Sequence, residues 1–254
     1  MNEEAASGAF YLAHARPVVR AYYDLTRQPA SWDFWTWITL MRARGATRVV
    51  FDPAVGFKYR DRPVAEQQQM FDEVVLPICE LFGLEHCLDR ERPGDLRGQH
   101  IYRHGITQVR HEELMQFALE PAGPPTVTLR QSRKHPERDS DPAVWLPFAE
   151  AIGARVIEDA WVTPLSVRER FEIYRRSPMN YFANNGPGGA AMWSNLPALM
   201  VNPPGACVEW VPRGEQYPFA TEHQRMYWGP VTVAGLLEEE MRSKLTRAGW
   251  VGKG

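Results

Sequence analysis

Cysteine is scarce in this chain: Cys79, Cys87 and Cys207 are an odd number at wide spacing. That argues against a disulfide framework and fits a reducing cytoplasm, and the spacings contain no zinc pattern. No apolar run approaches the roughly 20 residues of a membrane-spanning helix. The N-terminal MNEEAASGAFYLAHARP carries acids where a secretory signal needs bases. A soluble cytoplasmic protein without a transmembrane segment is expected. Neither sign of charge is in excess, since 29 Lys and Arg stand against 31 Asp and Glu for a net charge of -2. The basic residues are spread rather than massed, so nucleic acid is not expected as a partner. The GxGxxG fingerprint with its acid about 20 residues on is missing, and so is the P-loop lysine. His100 and His104 are spaced as ligands on one helix face would be, but no third ligand keeps step with them. No metal is assigned.

What remains is a globular composition, 44% hydrophobic over 254 residues, enough for one large core or two small ones. Pro17–Leu25 is apolar enough to pack but too short to classify. From Trp32 to Ala43, Phe34, Trp37, Ile38 and Met41 fall at helical spacing, with Gly45 as the stop. Arg48–Phe51 then reads as a strand ending at Asp52-Pro53. A helix follows from Pro63 to Gly83, bent at Pro77. Leu84–Leu88 and, more weakly, His100–Arg103 are further strand candidates on either side of a charged loop. The Pro- and Gly-rich EPAGPP at Glu120–Pro125 marks a boundary, dividing the chain into domains 1–122 and 123–254.

The second half alternates more cleanly. Strand Thr126–Leu129 runs into the basic loop Arg130-Gln-Ser-Arg-Lys-His. Asp141-Pro142 opens a helix that Gly153 ends, with a kink expected at Pro147, and Arg155–Ile157 is the next strand. Ser166 and Glu169 have capping-box spacing before a helix that stops near Pro178. Asn180–Ala183 is a strand opening into Asn184-Asn185-Gly186-Pro187-Gly188-Gly189, and Leu199–Val201 another, with Cys207–Val211 a possible one. A terminal helix carries Val233, Leu237, Met241 and Leu245 as its apolar stripe, and EEEMRSK reads as its solvated face. The fold class is α/β. The glycine turn has the form of a strand-to-helix phosphate site, which offers N–H groups and a helix dipole to an anion. The same residues would also serve an ordinary tight connection. The basic loop lies at a strand's carboxyl end, where open sheets place their ligands.

Four segments carry a resemblance: TVTLRQSRKHPERDSDPAVW, VIEDA, YFANNGPGGAAMW and GEQYPFATEHQRMYWGP. In this order they resemble the nucleotide-sugar-binding half of GT-B glycosyltransferases, most closely a little-characterised bacterial group, from Thr126 to the C-terminus. Asp139 stands where that group carries Asn. The first half is similar to a GT-B acceptor domain in its α/β rhythm. The resemblance implies two Rossmann-like α/β units with a ligand cleft between them. It further implies sugar transfer from a nucleotide-sugar donor, without cofactor or metal, to an acceptor the motifs do not identify. A catalytically inactive binding module of the same fold is the alternative.

On that reading Gly186, Gly188 and Gly189, beside Asn185, would hold the departing diphosphate with Arg130 and Arg133 or Lys134 as cations. Glu158 or Asp159 would bind a ribose hydroxyl, or else cap and pair locally. Gln216, His223 and Arg225 would line the cleft or pack between domains. Asp52 would be the base that takes the acceptor's proton, or else a turn carboxylate.

Overall fold

The computed structural model describes residues 18–26, 28–52, 63–88, 96–97, 109–131, 136, 139–159, 165–202, 211 and 213–247. Two sheets, parallel throughout, organise them. The first is built from β1 (Arg20–Asp24), β2 (Arg48–Asp52), β3 (Glu85–Leu88) and β4 (Leu96–Arg97), in the order β3-β2-β1-β4. Helix α1 (Asp33–Ala43) connects β1 to β2. Between β2 and β3 run α2 (Val64–Met70), a π-helical stretch at Phe71–Val75, and α3 (Leu76–Leu81). The π stretch has a cause in the sequence. Pro77 lacks an N–H and its ring collides with the carbonyl four residues back, so the helix widens just before it.

The second sheet contains β5 (Thr126–Arg130), β6 (Arg155–Asp159), β7 (Asn180–Ala183), β8 (Ala198–Val201) and β9 (Gln224–Tyr227), in the order β6-β5-β7-β8-β9. Helices α4 (Pro142–Ala151), α5 (Val167–Arg175) and α6 (Gly186–Met192) connect the first four strands, and α7 (Val233–Arg247) closes the chain. The local signals act as read. Asp141 accepts from the Ala143 N–H at 2.9 Å to start α4. Ser166 and Glu169 form a reciprocal capping box on α5. Gly45 and Gly153 end their helices at φ of 92° and 63°, backbone that other residues resist.

Some elements differ from expectation. Arg20–Asp24, unclassified from sequence, is a strand with Ala21 and Tyr23 buried, Tyr22 and Asp24 partly buried and Arg20 exposed. The charged loop before His100 contains β4, which pairs with β1. The His100–Arg103 candidate, and all of Cys207–Val211 except the buried Val211, lie outside the described residues. The closing segment supplies a fifth strand, β9.

Helix α1 was expected to bury one stripe, yet every residue from Phe34 to Met41 is buried. One side meets its own sheet, with Phe34 and Trp37 edge-on to Tyr23 at 4.9 and 4.8 Å. The other side meets the second half. There Trp35 stacks on Phe171 at 4.6 Å, Phe171 stacks on Phe117 at 5.4 Å, and the Trp35 indole N–H donates to the Trp193 carbonyl at 3.4 Å. One apolar cluster therefore runs across both sheets, while a second, with α4 and α7, covers the far face of the second sheet.

Helix α7 also turns differently. Met241 and Leu245 are exposed, whereas Leu236, Glu239, Glu240 and Ser243 form the buried face. Its first turn carries no acid. The buried acids are paired: Glu240 accepts from the Tyr181 hydroxyl and meets Lys244 Nζ at 3.0 Å, and Glu239 meets Arg225 at 3.4 Å and Arg242 at 3.5 Å. The run EEEMRSK is thus only in part a solvated face: Glu238, Arg242 and Lys244 are exposed, while Glu239 and Glu240 turn inward, where Arg225 and Tyr181 from other elements make their burial tolerable.

Truncating Phe171 to Ala removes the centre of the shared aromatic layer, with an expected loss of about 3–5 kcal/mol. Urea unfolding followed by Trp fluorescence and by far-UV circular dichroism should show one coincident transition in both proteins.

Candidate functional site

In the second sheet the chain passes outward from β5 to β6, then returns to place β7 on the other side of β5 and continues to β8 and β9. Counted from β5 the order is 2-1-3-4-5, whose reversal falls between β5 and β7. A crevice opens at the carboxyl ends flanking such a reversal, because the connecting helices leave in opposite directions. Arg130 ends β5 on one side of it, and Ala183 with Asn184, Asn185 and Gly186 leaves β7 on the other.

Arg130 spans that crevice. Its Nη1 donates to the Asn184 carbonyl at 2.8 Å, its backbone N–H donates to Ser140 Oγ at 2.8 Å, and its Nε lies 3.7 Å from Asp139. The side chain is 13% exposed. Asp139, the departure from the GT-B group's Asn, is thus a counter-charge for Arg130. Arg133, Lys134 and Arg138 lie outside the described residues.

On the other flank, register places Asp159 beside Arg130. Asp159 is held by Arg170 Nη1 at 3.2 Å, and Arg170 is only 1% exposed. Burial outweighs the attraction of Arg170 and Arg130 and pushes the Asp159 carboxyl up to about 6. Glu158, one residue earlier, points to the other face and is exposed, and its carbonyl accepts from Arg170 Nη2 at 3.4 Å. The acid beside Arg130 is therefore Asp159.

In the glycine turn, Asn185 Oδ1 accepts from the Gly188 N–H at 2.8 Å and the Asn185 carbonyl from the Gly189 N–H at 3.0 Å. Two of the N–H groups expected to face an anion are thus engaged within the turn. The glycines have separate reasons. A Cβ on Gly186 would stand 2.3 Å from the Trp32 ring, and one on Gly188 2.7 Å from Phe182 Cβ. At Gly189 a Cβ would meet nothing within 4 Å. Gly186 is therefore the point where the first half touches the turn.

Gln216 clamps the sheet edge, donating to the Met226 carbonyl at 2.9 Å and accepting from the Met226 N–H at 2.5 Å. Arg225 pairs with Glu239, and His223 lies 3.6 Å from Glu222. Asp52 ends β2 beside Asp24 at the end of β1. Its carboxylate accepts from the Tyr22 hydroxyl at 2.5 Å, while Asp24 accepts from Thr26 through N at 2.9 Å and Oγ1 at 2.6 Å. Sequence reading passed over Asp33. It is an exposed carboxylate in the first turn of α1, immediately after the Trp32 that rests on Gly186. Its only sequence signal, an acid opening a helix, is equally that of a dipole partner. Among the described residues no group of three or more His, Cys, Asp or Glu could hold a metal ion, and no helix is long and apolar enough to cross a membrane.

Parallel sheets of Rossmann-like strand order, joined through one buried helix, define an α/β protein of the doubly wound kind. No protein-family model and no curated protein matches the chain. Among solved structures it is similar to E. coli heptosyltransferase WaaC with ADP, at 10% identity over 88% of this chain and 99% of that one, with a TM-score of 0.48. It is also similar to the dodecameric iron-containing heptosyltransferase TibC in complex with ADP-D-beta-D-heptose, at 11% identity over 90% of this chain and 77% of that one, with a TM-score of 0.42.

Gly186→Ala is expected to destabilise by about 1–3 kcal/mol through the Trp32 collision, and in a double-mutant cycle Trp32→Ala should recover part of that loss. Asp159 titrates near 6 in the folded chain against an ordinary 3.8, so the folded state holds the proton more tightly. Its contribution is therefore most favourable below about 4, declines as pH rises towards about 6 and is flat above. Urea midpoints across that window should show the slope, and Asp159→Asn should remove it.

Proposed function

We propose that the chain is a cytoplasmic, bacterial glycosyltransferase-like protein that moves a sugar from a nucleotide-sugar donor to an acceptor without a metal. The observation that carries this reading is the meeting of Arg130 with the Asn184–Gly186 turn across the reversal of the second sheet. Breaking the anomeric C–O bond places negative charge on the departing diphosphate, and pre-oriented donors at a water-poor edge stabilise that charge. The donor's diphosphate would lie along the turn, over the open face of Gly189, and Arg133 is kept from the sequence as a second candidate cation. Asp159, in place of Glu158, would meet the ribose.

The acceptor would approach from the first sheet. Asp33 is the better-placed base, since it is exposed and neighbours the residue that touches Gly186. Asp52 is a second candidate whose carboxylate already receives the Tyr22 hydroxyl. That hydrogen bond, together with the pairing of Arg130 to Asp139, favours one further reading: a nucleotide- or glycan-binding module of the same fold without turnover.

Melting temperatures measured with UDP, GDP, ADP, CMP and NAD test the reading: one nucleoside diphosphate should stabilise the chain, and a response to NAD alone or to none of the five rejects it. Release or transfer of sugar from the matching donor then separates enzyme from module. With an active donor, Asp33→Asn is expected to lower kcat by about 10²–10⁴-fold while leaving the nucleotide-induced melting shift unchanged; the same result for Asp52→Asn alone would move the base there. Gly189→Ala reads the turn directly. It should raise the unliganded melting temperature slightly, by about 0.4–1 kcal/mol of stability, and weaken nucleotide binding at least tenfold.

A further inference from the structure

Beyond the turn itself, the carboxyl ends of β7 and β8 carry a row of carboxamides. Asn184 follows β7 and Asn202 follows β8, and the Asn184 Nδ2 donates to Asn202 Oδ1 at 2.8 Å. The same Asn184 receives Arg130 on its carbonyl, and its backbone N–H donates to Val201 at 3.1 Å. Asn185 is 5% exposed and Asn202 1%. Both have their Oδ1 engaged, Asn185 by the Gly188 N–H and Asn202 by Asn184. Both leave the Nδ2 buried with no hydrogen-bond partner among the described residues.

Buried amide donors without acceptors are costly and rarely left so without a reason. The orientation of Asn185 follows from chemistry, because a backbone N–H can face only the amide oxygen. With the Asn202 Oδ1 taken up by the Asn184 amide, the pair presents donors and no acceptor. A sugar hydroxyl would have to dispose of its own proton there, whereas a phosphoryl oxygen only accepts.

We infer that Asn202 and Asn185 form a two-donor site for the phosphoryl oxygens of a diphosphate, with Asn184 as the positioning residue that links them to Arg130. No local motif in the sequence marks Asn202. The inference rests on the nucleotide-sugar reading for the identity of the carrier, but a bare diphosphate has the same oxygens.

Asn202→Asp and Asn185→Asp test it. Each keeps the acceptor that Asn184 or Gly188 uses and replaces the unpartnered donor by an oxygen that repels an anion. Asn202→Ala, which removes the donor without adding charge, stands in if a buried carboxylate prevents folding. Circular dichroism establishes folding, and affinity for nucleoside diphosphates and for inorganic pyrophosphate is measured by calorimetry. The expected result is binding to the native chain and at least tenfold weaker binding to each folded variant. Affinity within twofold of the native chain overturns the donor pair and leaves the proposed function standing. Loss in the variants of a site that takes pyrophosphate but no nucleoside diphosphate supports the pair and removes the nucleotide-sugar reading. No binding of either probe by the native chain overturns both.

Discussion

The fold depends on a layer of aromatic rings that belongs to two sheets at once. A parallel sheet must be covered on both faces because its strands are apolar on both sides. Helix α1 covers one face of the first sheet with Phe34 and Trp37 and offers Trp35 to Phe171 of the second half. From Phe34 to Met41 it is buried on every side, and the buried Thr39 hydroxyl is satisfied within the helix, donating to the Trp35 carbonyl at 2.9 Å. The site inherits its shape from this arrangement. Trp32, at the start of the same helix, lies so close to the β7–α6 turn that position 186 has no room for a side chain. The glycine that looked like a phosphate ligand is also the seam of the two halves.

The strands and helices that sequence disclosed were those with their own punctuation. Thr126–Arg130 follows a Pro-Pro pair, α4 has its Asp cap and Pro, and α5 has its capping box. Elements defined by a neighbour were harder to read. β1 is a strand because β2 and β4 pair with it on both edges, although an Arg and an Asp stand at the two ends of its Ala-Tyr-Tyr. β9, Gln-Arg-Met-Tyr, is held by β8 on one side and by the side chain of Gln216 on the other. In α7 the apolar four-residue repeat suggests one face, and the partners of Glu239 and Glu240 on other elements, Arg225 and Tyr181, select another. None of these partners is local, so no window of sequence contains the information.

The same holds for the site. Arg130 and Asn184 are visible separately, but their contact depends on β7 and not β6 following β5 across the reversal, and strand order is a property of the sheet. Glu158 and Asp159 were indistinguishable as neighbouring acids at a strand end. Strand alternation makes one of them exposed and hands the other to Arg170. Asp33 gives no signal beyond that of a helix-opening acid, because its interest comes from the turn that Trp32 touches, far along the chain.

Charge bears on what such an edge can recognise. Arg130 is flanked by Asp139 and Asp159, and Arg170 is held by Asp159. Around the crevice the described cations are therefore already opposed by carboxylates, and little net positive potential is left to draw an anion in from a distance. What the edge retains is direction. Arg130 fixes the Asn184 carbonyl, Asn184 fixes the Asn202 amide, and Gly188 fixes the Asn185 amide. Each step orients a donor before any ligand arrives. Donors held in place by structure stabilise developing charge without reorganising, and they act most strongly where water is scarce. An edge of this kind suits a group whose charge grows during reaction better than one that must be captured by charge alone, and a leaving diphosphate is such a group.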